Sequence, residues 1–261
     1  MEALEGLSEH IEELVDSFDS AFVLGSGSVG LTQYIFWMFI VLALVLIVVL
    51  VAAKKAAIIP PNKFVGAVEW GYAFVRDSIV GGIIGNNVKR YTPFLATLFF
   101  WIFFCNVVGL IPGAKAVTGT ISVTWALSIC AFCYFNYWGV KAHGGWGYIK
   151  SIAPGGLPKV LTPVIWFFEF ISLVLRALTL AVRLYANMLA GHLVLGAFAL
   201  LTSMFVIYAV QSAVYVYMLP SVAWLALLLF MYLLECLVAY IQAYVFTSLT
   251  AVYISLATSE H

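Results

Sequence analysis

Two arginines, an asparagine and a histidine lie close together inside a long apolar stretch of this 261-residue chain: Arg176, Arg183, Asn187 and His192. A charged side chain in bilayer hydrocarbon costs at least ~3 kcal/mol, so it persists only where it faces protein or water. Arginine cannot lose its proton to avoid that cost. Arg183 has apolar flanks on both sides, which favours a function, whereas Arg176 could also extend its cation toward the membrane surface.

The polar residues of this stretch follow helical spacing. Glu169, Arg176 and Arg183 recur every seven residues, which places them on one stripe that Asn187 roughly continues. His192 comes nine residues after Arg183 and is predicted near the opposite face of the helix. A purely structural pairing of Glu169 with Arg176 is an equally good interpretation of these two residues.

A second apolar segment carries Glu235 and Gln242, again seven residues apart. A buried glutamate is therefore available to pair with the imidazole of His192, beside a cation, Arg183, that cannot release its proton. Groups that exchange protons near neutral pH favour a proton route. His192 could instead be a core histidine with satisfied hydrogen bonds, and two candidate ligands are too few for tetrahedral zinc. We expect no metal and no cofactor.

The composition identifies a polytopic α-helical membrane protein, because 64% of residues are hydrophobic and only 9% are charged. Residues 1–30 contain seven acidic side chains and neither lysine nor arginine. Ten of the twelve basic residues lie between Lys54 and Lys159, and none forms a patch clear of the membrane, which excludes a nucleic-acid partner. Cys130 and Cys133 form a C-x-x-C pair in an apolar segment, where packing is a better interpretation than redox chemistry.

The predicted fold is all-α, with about five membrane helices in a single membrane domain, 31–261. It follows an acidic amphipathic helix and linker, 1–30. The predicted spans are 33–53, 92–110 and 120–140, then a long, strongly tilted helical hairpin, 163–202 and 204–257. Residues 62–90 are predicted as an amphipathic helix on the inner surface, and the glycine- and proline-rich 143–158 as an irregular loop.

Five segments of the chain resemble the a subunit of F-type ATP synthase, and they occur in the family order. The most specific is Arg183-Leu-Tyr-Ala-Asn-Met-Leu-Ala-Gly-His192. The others are Ala67–Asp77, Asn106-Val-Val-Gly-Leu-Ile-Pro112, His143-Gly144 and Gln242-Ala-Tyr-Val-Phe246. One departure is Ala177, where the family usually has proline after a basic residue.

The resemblance implies a non-catalytic, proton-translocating stator subunit with two offset half-channels beside a rotating ring of c subunits. Arg183 matches the essential stator arginine, and Asn187, His192, Glu235 and Gln242 match polar channel residues. Implied partners are the c-ring, the peripheral stalk, other Fo subunits and membrane lipid. The histidine at 192 with glutamate at 235 is the mitochondrial and α-proteobacterial arrangement, which implies the mitochondrial inner membrane or, alternatively, an α-proteobacterial plasma membrane.

Two other classes of protein remain as alternatives. A stand-alone secondary transporter or ion channel predicts inverted repeats and helices broken near the membrane midplane, and neither is visible in the sequence. A purely structural assembly subunit leaves Arg183 and Glu235 without a purpose.

The charge distribution predicts the orientation of the chain by the positive-inside rule. A cysteine introduced at His10 should react with a membrane-impermeant maleimide from the outer side only, and one at Lys55 from the inner side only. Labelling of intact and inverted vesicles checks this, and reaction at position 10 from the inner side would contradict it.

Overall fold

A computed structural model describes residues 22–24, 31–55, 62–85, 87–111, 113–151, 161–212 and 218–258. Two short strands, β1 (Phe22–Leu24) and β2 (Leu31–Thr32), pair antiparallel before the first helix. The helices are α1 (Gln33–Lys54), α2 (Lys63–Ala73, continuing as a π-helical segment, Phe74–Gly81), α3 (Val88–Gly109), α4 (Ile121–His143), α5 (Gly145–Ser151), α6 (Thr162–Ser212) and α7 (Met218–Thr258). The predicted helix at the acidic N-terminus and the predicted joint 25–30 lie outside the described residues.

Helices α6 and α7 form the predicted long hairpin, with 51 and 41 residues. At 1.5 Å per residue α6 is about 76 Å long, more than twice the ~30 Å of bilayer hydrocarbon. The predicted boundary at 202–204 is wrong, because α6 continues to Ser212. Pro220 does not interrupt α7 but lies in its first turn, where its missing N–H would have no helical partner.

Four helices within the described residues are long and apolar enough to cross a membrane. They are α1, α3 and the two hairpin helices. Helices α1 and α3 lie at the predicted spans 33–53 and 92–110 to within a few residues, and the bounds of the membrane crossings stay a prediction. The predicted span 120–140 is a helix, α4, but it is not among the four. Thr124 and Asn136 donate hydrogen bonds to carbonyls of α4 itself, whereas the buried Ser128 donates to the carbonyl of Ala177 on α6, so this part of α4 faces protein. Its crossing of the membrane stays a prediction.

The helix predicted for the inner surface is present as α2 and its π-helical continuation. Val65, Val75 and Ile79 are fully buried; α2 packs on α1, and its π-helical continuation packs on α3 and α7. Arg76 and Asp77 are exposed on the other side, together with Trp70, so a buried apolar face is opposed by a face that carries charge, as in a surface helix. The position of α2 on the membrane surface stays a prediction.

The expected irregular loop after α4 is wrong for residues 145–151, which form helix α5. Gly144, with φ of 74°, ends α4 and lets the chain turn back on it. The ring of Tyr148 then lies against Gly139, where a Cβ would overlap it, and its hydroxyl donates to Asn136 Oδ1 at 2.8 Å. Burial raises the pKa of the Tyr148 phenol, so the donor stays protonated. The rest of the predicted loop, 152–158, lies outside the described residues.

Asn106 joins three parts of the fold at a point where it is fully buried. Its Nδ2 donates to the carbonyl of Ala239 on α7 at 3.3 Å, and Thr118 Oγ1 donates to its Oδ1 at 2.8 Å. Tyr232 on α7 similarly donates to the carbonyl of Leu110 at 3.1 Å. The end of α3, the segment before α4 and the middle of α7 are therefore held together by polar contacts inside an apolar core.

We expect Asn106→Leu to lower the free energy of unfolding by about 1–3 kcal/mol, because it leaves the buried hydroxyl of Thr118 without its acceptor. Denaturant unfolding in detergent micelles measures this. Thr97→Val is the matched control, since that exposed hydroxyl bonds only to the Pro93 carbonyl of its own helix. Equal losses in the two variants would contradict a role for the buried amide.

Candidate functional site

Helix α6 positions the polar residues through one buried apolar stripe. Its members recur at helical spacing and pack against α4 and α7: Ala177, Leu180, Ala181, Leu184 and Met188. Ser128 on α4 adds a buried hydrogen bond to the carbonyl of Ala177. Because this stripe fixes the rotation of the helix, the residues on its two flanks are held on opposite sides of α6.

One flank of α6 carries the predicted polar stripe of Glu169, Arg176 and Arg183. Arg176 Nη2 lies 3.9 Å from Glu169 Oε2, which confirms that the two residues share a face, and the guanidinium also lies 5.5 Å from the ring centroid of Tyr253. Arg183, two turns on, is exposed and forms no ion pair with any described residue. Its cation is therefore presented to whatever lies outside the chain, whereas Arg176 is engaged within it.

Glu235 lies between the two hairpin helices, with only 6% of its surface exposed. Its carboxylate rests on the Cα of Gly191, so closely that a Cβ at position 191 would overlap both of its oxygens. A glycine inside a helix costs roughly 1 kcal/mol relative to alanine, so its presence here calls for a local reason. The close approach of the carboxylate supplies that reason.

His192 lines a cavity of about 580 Å³ near the end of α3. Tyr34 from α1, Lys115 from the segment after α3 and Tyr232 from α7 also line it, among mostly apolar walls. Its other walls come from the end of α3 and from α6, including Leu110, Leu189 and Leu195. The cavity therefore brings the imidazole together with residues from α1, α7 and the connection after α3.

The predicted pairing of His192 with Glu235 is not present. Nε2 of His192 is buried without a hydrogen-bond partner, and no hydrogen bond or ion pair joins the two side chains in the described part of the chain. They are nonetheless neighbours, because Glu235 contacts Gly191, the residue before His192. Asn187 Nδ2, one turn earlier on α6, is likewise buried without a partner.

The remaining predicted residues are less closely involved. Gln242 is half-buried on the face of α7 that also carries Glu235, between the buried Ala239 and Phe246. Cys130 and Cys133 are exposed thiols on α4, so the packing role predicted for them would involve contacts outside the chain and stays a prediction.

Sequence reasoning missed Gly191 and Lys115 as parts of the site. A glycine in an otherwise unbroken helix was the available signal for the first, since such a residue often marks a close approach. For Lys115 no spacing pattern existed, because it lies in a connection whose path depends on tertiary contacts.

A match to known proteins covers most of the chain. Residues 35–255 match the family model described as ATP synthase A chain. This chain belongs to that family. A relative named ATP synthase subunit a from Chlorobium phaeobacteroides is 34% identical over 91% of this chain and 68% of its own length. A relative of the same name from Dictyostelium discoideum is 34% identical over 89% of this chain and 91% of its own length. Another, from a Nocardioides species, is 36% identical over 94% of this chain and 86% of its own length.

Membership of the ATP synthase A chain family decides between the classes of protein that the sequence left open. The chain is a multi-pass, proton-translocating subunit of F-type ATP synthase and not a stand-alone transporter. Catalysis takes place in other subunits, so the residues described above have no part in making the phosphate bond. The chemistry to explain is the movement of protons through the membrane.

We expect Gly191→Ala to reduce proton-driven ATP synthesis at least tenfold per assembled complex, because the new methyl group must displace the Glu235 carboxylate or separate the helices. Synthesis in energised vesicles measures this. Gly82→Ala is the matched control, since a Cβ at that helical glycine meets nothing closer than 4.0 Å.

A double-mutant comparison tests the cause of that loss. If the methyl group acts through Glu235, then adding Gly191→Ala to Glu235→Ala should cost little further activity. Two losses that multiply would show that Gly191 acts independently of the carboxylate.

Proposed function

We propose that this chain forms two offset proton half-channels beside a rotating c-ring, with Arg183 separating them. The observation that carries the proposal is the division of α6 into two flanks. One flank presents the exposed cation of Arg183 outward. The other presents the imidazole of His192 to a cavity, with the carboxylate of Glu235 on α7 lying behind it against Gly191. A half-channel and a barrier need this separation, because a proton must reach the ring on one side of the cation and leave on the other.

The inlet would run through the cavity to His192 and then to Glu235. The imidazole forms part of the wall of the cavity, and the carboxylate lies behind it at Gly191. Buried polar atoms normally have partners, so the unpartnered Nε2 of His192 and Nδ2 of Asn187 favour bonding to water along this route. Gln242 would extend the polar surface along α7.

The ring would face the exposed side of α6. Several exposed apolar residues lie beside Arg183 on this side: Phe168, Ile171, Leu175, Leu178 and Val182. A single arginine bordering such a surface suits contact with apolar c-subunit helices that each carry one carboxylate. The guanidinium favours the ionised form of an arriving carboxylate, so a protonated c subunit releases its proton there. Its charge also opposes direct proton leakage between the half-channels.

The outlet would include Glu169 and Arg176, which lie toward the inner end of α6. Their ion pair is partly exposed, with side-chain exposures of 43% for Glu169 and 28% for Arg176. The carboxylate can therefore contact both Arg176 and the solvent. Moving one charge through 100 mV releases ~2.3 kcal/mol, which means that several protons must pass for each ATP.

We further propose that the chain assembles with a c-ring, a peripheral stalk and other Fo subunits. Its membrane would be the mitochondrial inner membrane, with an α-proteobacterial plasma membrane as the alternative. Support comes from His192 and Glu235, whose order along the chain is the one that the resemblance associates with those two groups.

Arg183→Ala should abolish proton-driven ATP synthesis while the complex still assembles, because no fixed cation then favours deprotonation of the c-subunit carboxylate. Lysine should not restore activity, since a desolvated ammonium can lose its proton and lacks the broad guanidinium fork. ATP synthesis and passive proton flux in vesicles measure both effects.

Arg176→Ala is the matched control, and we expect only a partial loss because that guanidinium is engaged with Glu169 and Tyr253. Near-normal synthesis by assembled Arg183→Ala complexes would overturn the proposed function.

A further inference from the structure

Lys115 occupies an unusual position for a basic residue of this chain. Of the twelve lysines and arginines, it is the only one that the predicted topology places in an outer connection. The other eleven lie in inner segments or on α6. Because the positive-inside rule concentrates basic residues on the inner side, orientation of the chain does not require Lys115, and its position calls for a local explanation.

The structure places Lys115 on the wall of the same cavity that His192 lines. The segment carrying it is held firmly, since Gly109 packs on Ala116, where a Cβ would approach the Ala116 Cβ to 2.6 Å. Thr118, three residues on, is bonded to the buried Asn106. The backbone that carries Lys115 is therefore held at the wall of the cavity.

The titratable and charged groups around His192 come from every element that surrounds it. Tyr34 comes from α1, Lys115 from the connection before α4, Tyr232 and Glu235 from α7. Tyr232 is engaged with the carbonyl of Leu110, and Glu235 lies behind Gly191 and does not line the cavity. Among the described residues that line the cavity, Lys115 is the one lysine or arginine.

We propose that Lys115 sets the outer-side pH at which the inlet delivers protons. Its positive charge opposes a second positive charge on the imidazole of His192. The imidazole consequently passes a proton on toward Glu235 instead of retaining it, and a lower outer pH is needed to load it. Low-dielectric cavity walls strengthen this effect relative to water. The inference deepens the proposed function and rests on it.

The test uses the assembled complex in vesicles, with the inner pH and the membrane potential held constant while the outer pH is varied. We expect Lys115→Gln to move the half-maximal rate of ATP synthesis to a higher outer pH by roughly 0.5–1 unit, a change of about three- to tenfold in proton concentration. Lys115→Arg keeps the charge and should leave the profile within about 0.2 unit of the original.

A chemical variant guards against effects on folding. Lys115→Cys, in a background with the four native cysteines replaced by alanine, can be modified after assembly. A reagent that adds an aminoethyl group should return the profile to lower pH, and a neutral reagent of similar size should not.

Each outcome decides between the claims. A reduced rate with an unshifted profile in Lys115→Gln, or an equal shift with both reagents, would overturn the role of the charge. Loss of activity in Arg183→Ala alongside such a result would leave the proposed function intact. Near-normal synthesis in Arg183→Ala would instead remove the proposed function, whatever Lys115→Gln does.

Discussion

A permanent cation cannot be left in hydrocarbon, and the rest of this structure depends on that constraint. Arg183 survives in a long apolar helix only because the buried stripe from Ala177 to Met188 rotates it to the outside of the bundle. There it can meet a carboxylate from another subunit. The same rotation determines where every other polar residue of α6 lies. The packing of small and apolar residues, which carry no chemistry, therefore decides the chemistry of the surface.

Close contact between the two hairpin helices fixes the position of the Glu235 carboxylate and keeps it apart from the guanidinium of Arg183. Glu235 fits into the space that Gly191 leaves free, on the far flank of α6 from Arg183. A bulkier residue at 191 would separate the helices and leave the carboxylate without a fixed place. The absence of a side chain at Gly191 thus positions Glu235, and the hydrogen bond from Asn106 to the carbonyl of Ala239 holds α7 one turn further along.

Features that depend on a repeating pattern along the chain, such as helix length and which residues share a helix face, could be predicted from the sequence. Seven-residue spacing predicted that Glu169 and Arg176 share a face, and apolar length predicted α1, α3 and the hairpin. Features set by a single tertiary contact could not be predicted. The sequence predicts the hairpin turn at 202–204, whereas α6 continues to Ser212. Residues 203–212 are mostly apolar, so their composition suits the end of the first helix and the start of the second equally well. Helix α5 was missed because Tyr148 compensates for glycines that locally favour a loop, and the pocket for Glu235 depends on two segments far apart in sequence.

The length of α6 has a consequence for the electric field. If the helix is straight and lies within ~30 Å of hydrocarbon, its axis is inclined about 65° from the membrane normal. His192 and Arg176, about 24 Å apart along that axis, then differ by only about 10 Å in depth. A steep voltage gradient can therefore act between them across a short vertical distance, while most of their separation runs sideways. A helix inclined in this way converts a drop in potential into a lateral displacement within the plane of the membrane.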